Sequence, residues 1–319
     1  MNESNLSEGS SPSPFHPGTA RQFAWDSTSL GYFKECPRKY YYTMVRGLRQ
    51  KGESIHLTYG SWYHKALEDY DHRVAEGMDH AEALRSVVTW LMQTTWVYEY
   101  DDVGTPHGGH PWDGQHNTKT RENLVRSIIW YLEQFGPNDP TTTIILKNGK
   151  PAVELSFRIQ VDEDLILCGH LDRVVEFQSQ YYVMDRKTSS TTISSYYFDQ
   201  YSPDNQMSLY TFAGGIITEN PIRGVVIDAV QIAVGFSRFE RGMVYRTEAQ
   251  TQEWLADTKV WVAQAHAAAD RDVWPMNDKS CHKFGGCPFR QICSADPRVR
   301  ETFLSQNFHI NHWNPLDVR

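Results

Sequence analysis

In CGHLDRVVEFQSQYYVMDRKTSS, residues 168–190, two runs rich in β-branched and aromatic residues flank a polar break at Gln178, Ser179 and Gln180. The pattern predicts a β-hairpin with arms LILCGHLDRVVEF and YYVMDRK. Asp172 lies on the first arm, and Asp185 and Lys187 lie on the second. Because side chains alternate along a strand, Asp185 and Lys187 share one face while Met184 and Arg186 point the other way. Two carboxylates and an ammonium on one patch of an apolar sheet are costly unless they are paired or bound to a cation. Two readings follow. The patch is either a hard-metal site, in which aspartate oxygens suit Mg²⁺ or Mn²⁺ and the lysine orients a water or meets a phosphate charge, or an ion-paired face of an ordinary sheet.

Working outward, the chain has 319 residues, 40% hydrophobic and 13% aromatic, enough for a substantial core in one large domain or two small ones. No apolar run reaches membrane-spanning length and no signal peptide is evident, so a soluble, cytoplasmic protein with no membrane partner is expected. The net charge of −8 speaks against a broadly basic nucleic-acid binder, though local basic residues around an acidic site still permit one. A phosphate-cradling GxxxxGK[ST] loop is absent, so the chain should not hydrolyse ATP itself.

Residues 1–24 are Ser-, Pro- and Gly-rich and read as a disordered leader. A helix is expected from Ser27 or Ser29 to Val45, with Pro37 kinking or splitting it. Between Lys34 and Lys51, Arg38, Lys39, Arg46 and Arg49 are interleaved with Tyr40, Tyr41 and Tyr42, a composition that suits DNA as well as a solvated helix face. Helices are expected over 60–76, 81–98 and 120–135. The His-, Gly- and Pro-rich segment 101–118, with His107, His110 and His116, is expected to be a loop. Strands then dominate; in AVELSFRIQV alternation puts Glu154, Ser156 and Arg158 on one face. A helix over 205–218 carries Gln206 and Tyr210 at i and i+4, a strand pair follows over 224–247, and a helix over 249–269 precedes the C-terminal cysteines.

Five cysteines are present. Cys281, Cys287 and Cys293 stand six apart in CHKFGGCPFRQIC, and Cys36 lies in KECPRKYYY. Three clustered thiols in a Gly/Pro-containing segment need a fourth ligand, for either a tetrahedral Zn²⁺ or an iron–sulfur cluster. Cys168 is left as a strand-core residue.

Five pieces in one order, SLGYFKECPRKYYYTMVRGL, YGSWYHKALEDY, GHLDRVVEF with MDRKTSS, QMSLY and CHKFGGCPFRQIC, resemble the RecB-like branch of the PD-(D/E)XK nucleases. Within that branch they are similar to the iron–sulfur exonucleases of CRISPR adaptation and of phages. The resemblance spans about residues 25–295, leaving 296–319 as a tail. It implies an α/β fold: a restriction-endonuclease-like core with a mixed central sheet flanked by helices, its N- and C-terminal parts joined by a cysteine-ligated cluster. It further implies that His64, Asp172 and Asp185 bind catalytic Mg²⁺ or Mn²⁺, that Lys187 is the catalytic lysine and that Gln206 and Tyr210 form the supporting QxxxY motif. Cys36, Cys281, Cys287 and Cys293 are then the ligands of a [4Fe–4S] cluster, with Zn²⁺ as the alternative occupant. The chain departs from the family in the five residues between Cys281 and Cys287, where many relatives have two. Glu154 is an additional candidate for the metal or its water. The activity implied is metal-dependent exonucleolytic cleavage of single-stranded DNA or DNA ends, alone or beside a separate helicase, recombinase or integrase in a bacterial, archaeal or phage-infected cell. The alternative is a catalytically silent DNA-binding protein on the same fold, holding iron–sulfur or zinc.

Overall fold

The structure, a computed structural model, describes residues 12–52, 54–283 and 286–317. In chain order the elements are β1 (Ala24–Trp25), α1 (Ser27–Glu35), α2 (Pro37–Tyr40), β2 (Leu48–Gln50), α3 (Ile55–Ala75), α4 (His80–Thr94), β3 (Trp96–Tyr100), β4 (Pro106–Pro111), α5 (Arg121–Phe135), β5 (Thr142–Thr143) and β6 (Val153–Asp162). They continue with β7 (Leu165–Phe177), β8 (Gln180–Ser189), α6 (Ser195–Asp199), α7 (Asn205–Thr218), β9 (Ile222–Ile232), β10 (Ser237–Tyr245), α8 (Glu248–Arg271), α9 (Arg290–Ser294), α10 (Arg300–Asn307) and β11 (Phe308–Ile310). The chain divides into two compact units, one formed by Glu53–Leu155 with Leu171–Thr247 and the other by the remaining segments. Among the described residues no helix is long and apolar enough to cross a membrane.

The unit containing Leu171–Thr247 is built on a mixed sheet. β7 and β8 pair antiparallel, β8 and β9 parallel, and β9 and β10 antiparallel. α3 buries Tyr59, Tyr63, Ala66, Leu67 and Tyr70, the three-and-four spacing of a helix packed on one side. These side chains share a core with Val87 and Leu91 of α4, Leu124 and Ile128 of α5, and Val230 of β9. α7 approaches the sheet at Gly214, where a Cβ would stand 2.8 Å from Val183 Cγ2, so a larger residue there would push the helix off the strand. The fold is thus mixed α/β with a central mixed sheet and helices packed on it, in keeping with a restriction-endonuclease-like core.

In the other unit, β1 pairs parallel with the start of β7 and β11 antiparallel with β2. The helix expected over 27–45 is broken at Cys36, which ends α1 and starts α2 in extended conformation (φ −164°). Pro37 cannot donate into a continuing helix, and a π-helical turn over Tyr41–Val45 follows. Of the segment read as a leader, residues 12–24 make specific contacts: Phe15 bridges to Gln22, Gln22 is fully buried and its side-chain carbonyl accepts the Tyr40 hydroxyl at 2.8 Å. Residues 1–11 lie outside the described set. Residues beyond 295 form α10 and β11, so this stretch is built into its unit.

Two further expectations change. The helix begun at His80 stops at Thr94, and Trp96–Tyr100 pairs instead with Pro106–Pro111 across the segment expected to be loop; Gly and His conceal a short strand that alternation does not mark. β6 keeps Ser156 and Arg158 exposed and Phe157 buried, but Glu154 sits at φ +48°, which takes it out of the strand's alternation.

Candidate active site

The β7–β8 hairpin turns at Gln178 and Ser179, both left-handed (φ 51° and 58°), the twist that a two-residue hairpin turn requires. Pairing runs from Phe177↔Gln180 to Arg173↔Met184, and Asp172 and Asp185 lie one residue beyond that last rung. As the period of two dictates, Asp185 and Lys187 share the face on which Val183 meets α7, and Arg186 points the other way, onto Asp71 of α3.

Asp185 is 1% exposed and Asp172 8%. Lys187 Nζ lies 2.8 Å from Asp185 Oδ2, hydrogen-bonds Asp185 Oδ1 at 3.0 Å and donates to Gln206 Oε1 at 3.0 Å. Gln206 Nε2 donates to the Tyr210 hydroxyl at 2.9 Å. The i, i+4 spacing puts both side chains on one stripe of α7, whose start is set by Asp204 accepting the Met207 N–H at 3.0 Å. On the other side, His64 Nδ1 of α3 stands 3.4 Å from Asp172 Oδ2, which also accepts the Arg186 N–H at 2.8 Å. The structure therefore brings His64, Asp172, Asp185, Lys187, Gln206 and Tyr210 into one connected constellation.

The two carboxylates are driven apart electrostatically. Burial raises both. At Asp172 it is overcome by His64, the Arg186 N–H and Lys187, leaving the group below the usual carboxylate range. At Asp185 burial prevails and the charge of Asp172 adds to it, so the group lies above that range. Burial alone would lower Lys187, but the Asp185 charge keeps it raised and cationic. Such a separation of neighbouring acids is characteristic of functional sites.

Sequence reasoning passed over Tyr197 and Tyr201. Their hydroxyls meet at 3.2 Å, and Tyr197, raised mainly by burial, feels both Lys187 and Asp185. The signal was the aromatic run SYYFDQY between hairpin and QxxxY helix, which periodicity alone does not assign.

Among the described residues no group of three or more His, Cys, Asp or Glu side chains is placed to hold a metal ion as it stands. The donor chemistry nonetheless fits a divalent cation, because two buried carboxylates, Asp172 and Asp185, share the single ammonium of Lys187. Two buried carboxylates against one ammonium leave an excess negative charge, which a divalent cation would neutralise.

The cysteines gather in the other unit. Asn277 donates its backbone N–H to Cys36 Sγ at 3.3 Å and its side-chain amide to Glu35 O at 2.8 Å. Ser280 also bonds Glu35 O, at 2.9 Å, so the segment leading into Cys281 is stitched to Cys36. The Cys287 N–H donates to Cys281 O at 3.0 Å, and Cys287 and Cys293 border a core of Tyr42, Phe289 and Phe308. Burial raises the Cys287 and Cys293 thiols, and each also feels Cys36. The Asn277 N–H aimed at Cys36 sulfur is the kind of contact a ligating thiolate accepts, while among the described residues no three of these cysteines stand as a metal-holding group. Cys168 is a fully buried core thiol beside Ala24 and Leu316, as expected.

The four cations expected to meet DNA are engaged within the protein. Arg38 donates to Trp274 O at 2.7 Å and Lys39 pairs with Glu35 at 2.8 Å. Arg46 forms a two-pronged pair with Glu301, and Arg49 donates to Thr43 O at 2.8 Å. Tyr40 and Tyr42 are buried, so the aromatic–basic interleaving reflects a folded clasp.

A family model described as the PD-(D/E)XK nuclease superfamily matches residues 26–294. The chain belongs to the PD-(D/E)XK nuclease superfamily. The matched range contains both acids, the lysine, the QxxxY helix and all the cysteines. Among solved structures, a protein from Eubacterium rectale provisionally assigned as an exonuclease is similar at 10% identity over 81% of this chain and 85% of its own, with a TM-score of 0.46. The structure of SSO0001 is similar at 13% identity over 44% of this chain and 65% of its own, with a TM-score of 0.24. None of the curated proteins matches the chain.

Proposed function

We propose that this nuclease is a divalent-metal-dependent deoxyribonuclease that removes nucleotides from single-stranded DNA or DNA ends. The observation that carries this reading is the buried Asp172–Asp185–Lys187 constellation, in which two carboxylates share one ammonium. Asp172, Asp185 and His64 would hold Mg²⁺ or Mn²⁺, which supplies Lewis acidity toward the phosphodiester and a bound water of lowered pKa. The protein supplies the rest. Lys187, held by Asp185 and Gln206, presents a fixed positive charge to the negative charge that develops on phosphate. Gln206 and Tyr210 fix that ammonium through a two-step hydrogen-bonded chain. Burial of Asp172 and Asp185 keeps bulk water from screening these charges. Cys36, Cys281, Cys287 and Cys293 would hold an iron–sulfur cluster that ties two segments some 245 residues apart in sequence, a loop whose closure entropy a covalent clip offsets. In a bacterial, archaeal or phage-infected cell such an enzyme would work alone or beside a separate helicase, recombinase or integrase.

The test is degradation of end-labelled single-stranded and duplex DNA by anaerobically purified protein in Mg²⁺, Mn²⁺ or EDTA, with Asp185→Ala and Lys187→Ala alongside. Metal-dependent loss of DNA that both substitutions abolish is the expected result, and the position of the surviving label gives polarity. Folded wild-type protein that binds DNA and never cuts it would sink this reading. Iron and sulfide content of the same preparation separates a cluster from zinc at the cysteines.

A further inference from the structure

The loop that leads into α5 carries a cationic group without an anion. Lys119 is 2% exposed, and among the described residues no carboxylate pairs with it; its Nζ stands 4.5 Å over the Tyr59 ring. His116, three residues earlier, packs edge-on against His56 with ring centroids 5.1 Å apart. Its Nδ1 accepts the N–H groups of Thr118 and Lys119 at 3.1 and 3.0 Å, so the proton of the neutral ring resides on Nε2, leaving a donor. His56 is the second residue of α3. That helix has no acidic residue in its first turn, and its N-cap, Ser54, makes no side-chain capping bond, so its first N–H groups carry no side-chain cap. The loop is seated there by Gly114, where a Cβ would lie 1.9 Å from Ile55 Cδ1.

We propose that His56, His116, Lys119 and the first turn of α3 form a second anion site, which takes a phosphate of the DNA strand held at the metal site. The geometry links the two. His56, Gly60 and His64 fall at i, i+4 and i+8, one row along α3. Gly60 in that row faces Thr188, the residue after Lys187, and His64 faces Asp172. Eight residues of helix span about 12 Å, so a phosphate at His56 belongs to a different nucleotide from the one being cut. Desolvation holds Lys119 down to about 8, and His56, though exposed, is lowered by partial desolvation and by its His116 and Lys119 neighbours. An arriving anion relieves both. This inference rests on the nuclease reading for the identity of its ligand.

The test measures affinity for 3′-fluorescein single-stranded oligonucleotides with a 5′-phosphate or a 5′-hydroxyl, in Ca²⁺ over a series of salt concentrations. Wild type is compared with His56→Ala and Lys119→Met, each checked for folding by circular dichroism. Loss of one charge-assisted phosphate contact predicts binding weaker by about tenfold and a shallower salt dependence. A loss confined to 5′-phosphorylated DNA identifies a terminal monoester as the ligand, and an equal loss on both identifies an internal diester. If Lys119→Met fails to fold, the exposed His56 decides. Folded variants that bind both oligonucleotides as tightly as wild type overturn the site and leave the nuclease reading intact. A wild type that binds DNA but hydrolyses none in Mg²⁺ or Mn²⁺ overturns the nuclease reading, while the tenfold loss in the variants still supports the site. Wild type that binds neither oligonucleotide overturns the site.

Discussion

The β7–β8 hairpin buries charge on both of its faces, and the two faces are constructed differently. On one, Asp172 and Asp185 meet a single ammonium, Lys187, with His64 alongside. On the other, three guanidiniums meet three carboxylates. Arg186 pairs with Asp71 at 2.5 Å, Arg173 with Asp139 at 3.4 Å and Asp71 at 3.7 Å, and Arg241 with both oxygens of Asp139 and with Asp228. Tyr131 completes this face by hydrogen-bonding Asp228. Apart from Arg186 Nε, the network is satisfied and electrically balanced. Balanced burial is what a structural network needs. Two carboxylates against one fixed ammonium leave the excess negative charge that the proposed metal site would require. Alternate residues of one strand, Asp185 and Arg186, thus serve opposite ends.

The sharpest way to break the comparison is to neutralise one residue from each face. Asp185→Asn should lower metal-dependent DNA cleavage by about 10³-fold and leave thermal stability equal to or above that of wild type, as read by a cleavage time course beside a melting curve. Arg186→Met should do the reverse in kind. It leaves buried Asp71 with only the longer 3.7 Å pair to Arg173 and should destabilise the protein by about 3 kcal/mol, visible in denaturant unfolding before any change in the chemistry of the remaining folded fraction.

A pH series sharpens the contrast further. Asp185 is raised to about 6 by burial and by Asp172, above its value in the unfolded chain. Its contribution to stability is therefore full below the unfolded value near 4 and is lost as pH rises through about 6. Asp172 is depressed, so its own contribution is lost only on acidification below the unfolded value. Metal-free wild type should then lose on the order of 1 kcal/mol between pH 5 and pH 7 relative to Asp185→Asn, measured by melting temperature in chelator. A wild type and variant with parallel pH profiles would remove the electrostatic distinction between the faces. The smallest effect belongs to the surface. Arg46→Ala breaks a pair with Glu301, whose side chain is 71% exposed, and should shift stability by less than about 1 kcal/mol, with DNA affinity nearly unchanged in an anisotropy titration.

Much of the site was legible because its signals are local. A hairpin announces itself by two β-rich arms and a polar turn, and a period of two places Asp185 with Lys187 without reference to anything else in the chain. The i, i+4 relation of Gln206 and Tyr210 is similarly contained within one helix. The partners of Arg186 and Arg173 were not legible, because Asp71, Asp139 and Arg241 come from distant segments and nothing in a single sequence marks which charges will be desolvated together. The cations of 34–51 show the converse. Their composition suggested a nucleic-acid surface, yet Glu35, Glu301 and the carbonyls of Thr43 and Trp274 take them up.

By itself, the sequence determined the hairpin, the face shared by Asp185 and Lys187, the helix bearing Gln206 and Tyr210, and the break at Cys36–Pro37, since backbone periodicity and proline sterics act over a few residues. Only the tertiary structure decided that His64 stands against Asp172, that Asn277 joins Cys36, and that, among the described residues, Lys119 is buried beside His56 without a carboxylate. Those outcomes depend on which distant side chains are carried out of water together, and the free energy of a buried charge is set by its neighbours in space rather than along the chain.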